Sequence, residues 1–208
     1  MNIHRIDLGD KTLSVTDPLW DSIPEVSVEN DWMGIRSLPQ RFFRFQLCWS
    51  DRFFSIRFIT TRNDECVIGS NPRRDSKTLE LWNRDVCEIF IAPNPSIPEE
   101  YFEFEIAPTG EWVDLQISVR GSERFTDSDI KTHAFYEAIS HNGIDLMMIS
   151  IPWATLGVKP SPGVVMRGNV YRCTGSEPRR GYLALWPTKS PVPNFHVPES
   201  FGEFRIND

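Results

Sequence analysis

Long apolar runs are missing from this 208-residue chain. No segment has the length and hydrophobicity of a membrane span, so no membrane partner is expected. The opening residues, MNIHRIDLGDKTLS, have no apolar core and do not read as a secretory leader. The expectation is a cytoplasmic location, unless a leader has been removed. Basic blocks are missing too. With 22 Lys and Arg against 29 Asp and Glu, the net charge is −7, and nucleic acid is a poor fit as a partner. Cysteine is scarce. Cys48, Cys66, Cys87 and Cys173 form no C-x-x-C pair, which argues against a zinc site. Three of them lie in strand-like runs and read as buried thiols; one disulfide stays open for an exported protein.

Aromatic residues and proline are abundant: seven Trp, fourteen Phe and sixteen Pro. Without long helical periodicity, this composition points to an all-β chain. The stretch FFRFQLCWSDRFFSIRFITTR (42–62) alternates cleanly and predicts a hairpin turning at Ser50-Asp51, with one side buried. Further strands are expected over 85–93, 100–108, 111–119, 143–153, 163–173 and 181–186. Short helices are expected at 152–157 and 127–135. No internal repeat or linker divides the chain, so residues 1–208 are expected to form one domain. The predicted fold is a two-sheet antiparallel β-sandwich, immunoglobulin-like or jelly-roll-like, with proline-rich loops.

Chemistry concentrates in two places. In LWNRDVCEIFI (81–91), Trp82 precedes a strand and Glu88 lies within it. A carboxylate on so apolar a strand needs a partner or a wet cleft. Neighbouring strands offer Glu103, Glu105, Asp114 and Gln116 as a cluster of acceptors, if their polar faces coincide. In LALWPTKSPVPNFHVPESFG (183–202), Trp186 ends a strand and four prolines stiffen the loop behind it. Indole faces paired with carboxylates suit a sugar, which has an apolar C–H face and a rim of hydroxyls. Plainer roles stand beside these. Any one Trp is more often core, Glu88 could pair with Arg172, His196 could be a packed loop residue, and Asn194 could cap a turn.

The segments LWNRDVCEIFIAP…YFEFEIAPTGEWVDL, IPWATLG, RGNVYRC and LALWPT…PNFHVPESFGEFRI resemble, in that order, the family 9 carbohydrate-binding modules and their wider family-9-like group. The similarity runs from about residue 20 to the C-terminus. It implies a β-sandwich in which Trp82 and Trp186 clamp a sugar or the end of a glycan and Glu88 holds its hydroxyls. It also implies an association with glycoside hydrolases and polysaccharide catabolism. Where sugar-binding members carry an arginine on the strand after that Glu, this chain carries Glu105, and Arg172 is the candidate replacement. Asn194 and His196 complete the expected site, whose partner is a mono- or oligosaccharide. No cofactor is expected, although structural calcium is known in the family. The acidic loops at Asp51, Asp64-Glu65 and Asp127 to Asp129 could supply its oxygen ligands.

Three other readings remain. Paired carboxylates among Glu88, Glu103, Glu105 and Asp114 would suit a hydrolase acting on O-glycosyl compounds. Related DOMON-type domains bind haem through Met and His, for which Met166 and His196 are the candidates. A protein-interaction module with an unused slot is the last.

Overall fold

A computed structural model describes residues 1–9 and 11–208. The first strands are β1 (Asn2–Arg5), β2 (Val26–Val28), β3 (Phe43–Trp49) and β4 (Phe53–Thr61). Then come β5 (Val86–Ala92), β6 (Glu100–Ile106), β7 (Trp112–Arg120) and β8 (Glu123–Asp127). The remainder are β9 (Phe135–His141), β10 (Ile144–Pro152), the one-turn helix α1 (Trp153–Leu156), β11 (Val165–Thr174), β12 (Gly181–Ala184) and β13 (Gly202–Ile206). The all-β class follows directly from the alternating sequence. The expected turn of helix at 152–157 forms, whereas 127–135 contains none.

The hydrogen-bonded strand order is β8-β7-β6-β5-β11-β13-β1-β3-β4-β10-β9, with β12 beside β11 and β2 beside β3. Short β1 is where the path folds over. Asn2 and Ile3 pair with β13, while His4 and Arg5 pair with β3, both in parallel. The two resulting layers face each other across one core. Phe45, Phe54, Ile56, Phe58 and Ile149 come from one layer, and Ile89, Ile91, Phe104, Val170 and Phe204 from the other. Such burial of large side chains is the main drive for the layers to stack.

The β5–β6–β7–β11 layer is apolar on its outer face as well. Phe90, Tyr101, Val113, Leu115, Ile117 and Tyr171 form a second buried cluster there. The cover is partly the proline-rich segment after β12, whose Phe195 ring stacks on Tyr171 at 4.1 Å and 9°. Tyr171 also donates its hydroxyl proton to the Phe195 carbonyl at 3.0 Å. A sheet with a loop strapped over its outer face leaves a hollow where the strap stops short.

Candidate functional site

That hollow is a cavity of about 600 Å3, within the usual range for small-molecule sites. Its floor is the outer face of β5, β6 and β7, where Phe90, Leu115 and Ile117 lie. Trp82 and Tyr182 border it on one side, Asn194 and His196 come from the proline-rich segment, and Arg124 from β8.

Three carboxyls belong to this floor. Glu88 and Glu105 are direct cross-strand partners, and Glu103 is two residues before Glu105, so strand alternation points all three the same way. One oxygen from each lies within 4.8 Å of the other two. Glu88 and Glu103 line the cavity, while Glu105 is fully buried among them. Burial, reinforced by repulsion from Glu103, pushes the Glu88 carboxyl up to about 8. Burial raises Glu103 too, and burial with repulsion from Glu88 and Glu103 raises Glu105 well above the carboxylate range. The Cys173 thiol donates to Glu88 Oε1 at 3.3 Å; its own ionisation is driven far upward by burial and by Glu88.

His196 closes one wall. Its Nδ1 shares a 2.7 Å hydrogen bond with the Tyr101 hydroxyl, and its ring packs 5.2 Å from Phe90. Burial, with Arg124 nearby, pushes the imidazole down to about 3. The ring is therefore neutral at neutral pH, and its 4.0 Å approach to Glu103 Oε2 is not an ion pair. Asn194 accepts from the His196 amide at 3.0 Å, so it also shapes the loop.

Trp82 stands at the opening, 39% exposed, on a 3-10 turn over Leu81–Asn83. Arg180 fixes that turn by donating to the carbonyls of Trp82 (2.5 Å), Asn83 (2.9 Å), Arg84 (2.7 Å) and Gly175 (3.1 Å). Asp85, between Trp82 and Glu88, is structural. It accepts from the Val67 and Gly175 amides and the Thr174 hydroxyl.

Trp82, Glu88, Asn194 and His196, all expected from sequence, therefore meet at one cavity, with Glu105 buried behind it. Trp186 and Arg172 do not join them. Tyr182 and Ala184 face outward, but β12 ends at Ala184 and the chain bends, so Leu185 and Trp186 both pack on the inter-sheet core. The indole lies 5.6 Å from the Phe204 ring and directly over Gly202, where a Cβ would come within 2.3 Å of it. Asn169 holds the bend, donating to the Trp186 carbonyl and accepting from its amide. Arg172 faces the interior because Tyr171, not Arg172, is the partner of Glu88 across β5–β11. It donates to the carbonyls of Arg41 and Phe42 and lies 3.7 Å from Asp85.

Asp114 leaves the expected acceptor cluster for the same reason. It shares a face with Phe104, toward the interior, and pairs with Lys77 at 2.5 Å. Met166 is buried in the inter-sheet core, on the opposite side of the sheet from His196. The acidic loops have local partners: Asp51 pairs with Arg5, Glu65 with Arg41, and Asp127 accepts from the Asp129 amide. The cysteines are free. Arg124, Arg180 and Tyr182 escape a sequence reading: Arg124 comes from an exposed strand, and although a strand over 181–186 is expected, nothing local shows that Arg180 and Tyr182 reach the cavity.

A family model described as carbohydrate family 9 binding domain-like matches residues 14–208. Among curated relatives, UPF0462 protein C4orf33 homolog from Rattus norvegicus is 31% identical over 141 residues, covering 62% of each chain. UPF0462 protein C4orf33 from Homo sapiens is 27% identical over 134 residues, again covering 62% of each chain. The chain thus spans 62% of the length of these relatives. A Bacteroides uniformis structure, described as a candidate carbohydrate-binding protein, superposes with a TM-score of 0.76 at 15% identity, covering 100% of this chain and 98% of that one. A family 9 carbohydrate binding module from Caldicellulosiruptor kristjanssonii, in complex with glucose, superposes with a TM-score of 0.68 at 13% identity, covering 100% and 95%. At these identities the likeness is one of fold.

Proposed function

We propose that this chain, which belongs to the carbohydrate family 9 binding domain-like family, binds a sugar or the end of a glycan in the cavity beside Trp82. One observation carries the reading: an exposed indole stands at the mouth of a cavity with carboxyls at its floor. Indole supplies a flat face for the C–H side of a pyranose. Glu88, Glu103 and Asn194 supply acceptors and donors for hydroxyls, whose geometry then selects among sugars. Trp186 has no place in this clamp, because it is committed to the core over Gly202. Tyr182 and Phe195, which line the cavity with Trp82, are the aromatic complement. Such a module would serve carbohydrate catabolism by holding a substrate for other enzymes.

Hydrolysis fits less well. A carboxylate pair of that kind needs one ionised member and one protonated member held apart by different surroundings. Here burial pushes all three carboxyls in the same direction.

Titration with glucose, cellotriose and oligosaccharides from xylan and mannan, read by calorimetry and Trp fluorescence, tests the proposal. Saturable binding is expected, weakened about tenfold or more by Trp82→Ala. Trp82 is exposed, so that variant leaves the core intact. No response to any sugar at millimolar concentration, or unchanged binding by Trp82→Ala, would overturn it.

A further inference from the structure

We infer that Glu88, Glu103 and Glu105 form a divalent-cation site at the base of the cavity. The buried acids elsewhere in the molecule are neutralised by the protein. Asp145 pairs with Arg62 at 2.7 Å, Glu111 with Arg84 at 2.6 Å, and Asp114 with Lys77 at 2.5 Å. The three glutamates have no such partner. Among the described residues, no Lys or Arg nitrogen comes within 4.0 Å of them, and His196 only touches that limit. No donor among the other described residues reaches either oxygen of Glu105, 0% exposed, or Oε2 of Glu103, 2% exposed; the two carboxyls face each other. Burying three carboxylates side by side is costly; without metal the cost is met by holding protons on them, and a cation can take the place of those protons.

The dimensions suit one ion. Oxygen ligands at the usual metal distances span about 4–5 Å across a coordination sphere, and these three carboxyls offer oxygens within 4.8 Å of one another. His196 stands outside this set, its Nε2 4.0 Å from Glu103 Oε2 alone. An all-oxygen donor set favours Ca2+, Mg2+ or Mn2+ over Zn2+. Glu88 and Glu103 line the cavity, so the remaining coordination positions face it. Ion entry needs no opening of the core.

The full chain, stripped with chelator and kept free of sugar, is titrated by calorimetry with Ca2+, Mg2+, Mn2+ and Zn2+ separately. One equivalent of at least one ion is expected to bind. At about 100 times its Kd the ion should raise the melting temperature by about 5–10 °C. Glu103→Gln and Glu105→Gln should each weaken uptake about tenfold or more. Without metal these variants should melt no lower than the wild type, since repulsion is relieved. Mn2+ uptake that is kept in His196→Gln, with no nitrogen coupling in the wild-type spin-resonance spectrum, gives a readout independent of the glutamate variants. Absence of 1:1 uptake of any of the four ions at millimolar concentration would overturn the site. So would uptake that survives both Gln substitutions, which would assign the ion to surface acids. Because no sugar is present, failure here leaves the sugar-binding result untouched.

Discussion

Tyr101 is the residue on which the His196 wall depends. Its hydroxyl shares the imidazole Nδ1, and its ring lies against Phe90 at 5.5 Å and 21°. Tyr101→Phe keeps the stacking and deletes only the hydrogen bond. The expected loss is about 1 kcal/mol in denaturant unfolding, with His196 ring resonances broadened because the ring has lost its anchor. An unchanged His196 spectrum would contradict that role. Residue by residue, the site was legible wherever strand alternation held. Glu88, Glu103 and Glu105 follow it; Asn194 and His196 lie in a loop without strand structure and were expected from the family resemblance instead. Arg172 and Asp114 were misplaced for one shared reason. Alternation divides a strand into two faces, but the pairing register decides which face meets Glu88, and register is a long-range property.

Arg180 organises an element rather than a contact. Its guanidinium gathers the carbonyls of Trp82, Asn83, Arg84 and Gly175, so a turn of three residues is held by a side chain from the turn just before β12. Arg180→Ala should cost roughly 1–3 kcal/mol. It should also increase hydrogen exchange at residues 82–84 and lower the fluorescence anisotropy contributed by Trp82. Arg180→Lys should rescue little, because an ammonium group cannot reproduce the planar fork. Gly202→Ala tests the opposite end of the same layer. The new Cβ would meet the Trp186 ring at 2.3 Å, and the overpacking should cost about 1–3 kcal/mol in thermal or denaturant unfolding. The strands that sequence revealed, such as β3, β4, β6 and β10, each bury a full apolar face. It did not reveal β8, whose residues are all exposed, or β9, which buries no side chain completely. Trp186 was misread because its strand ends two residues early, and alternation carries no information past that point.

At the scale of the molecule, the closure through β1 was invisible in sequence, since a four-residue strand that changes partners midway has no pattern of its own. The pH response of the whole fold, by contrast, follows from the buried groups. Glu88 is pushed up to about 8, against about 4.3 when unfolded. Between those values the folded state holds a proton that the unfolded chain has released, so stability falls as pH rises. Glu103 and Glu105 act with the same sign. His196 is pushed down to about 3, against about 6.5 when unfolded. Over that window the unfolded chain binds the extra proton, so stability falls as pH falls. With three acids set against one imidazole, the metal-free protein should therefore melt highest near about pH 4–5, measured by thermal unfolding from acid to mildly alkaline buffers with chelator present. Glu105→Gln should flatten the upper limb and His196→Gln the lower one. A steady rise in melting temperature up to pH 8 in the metal-free protein would contradict the assignment. A bound divalent cation needs its carboxylates ionised. At saturating cation the upper limb should consequently reverse and climb with pH, which couples the acidity of the cavity floor to its occupancy.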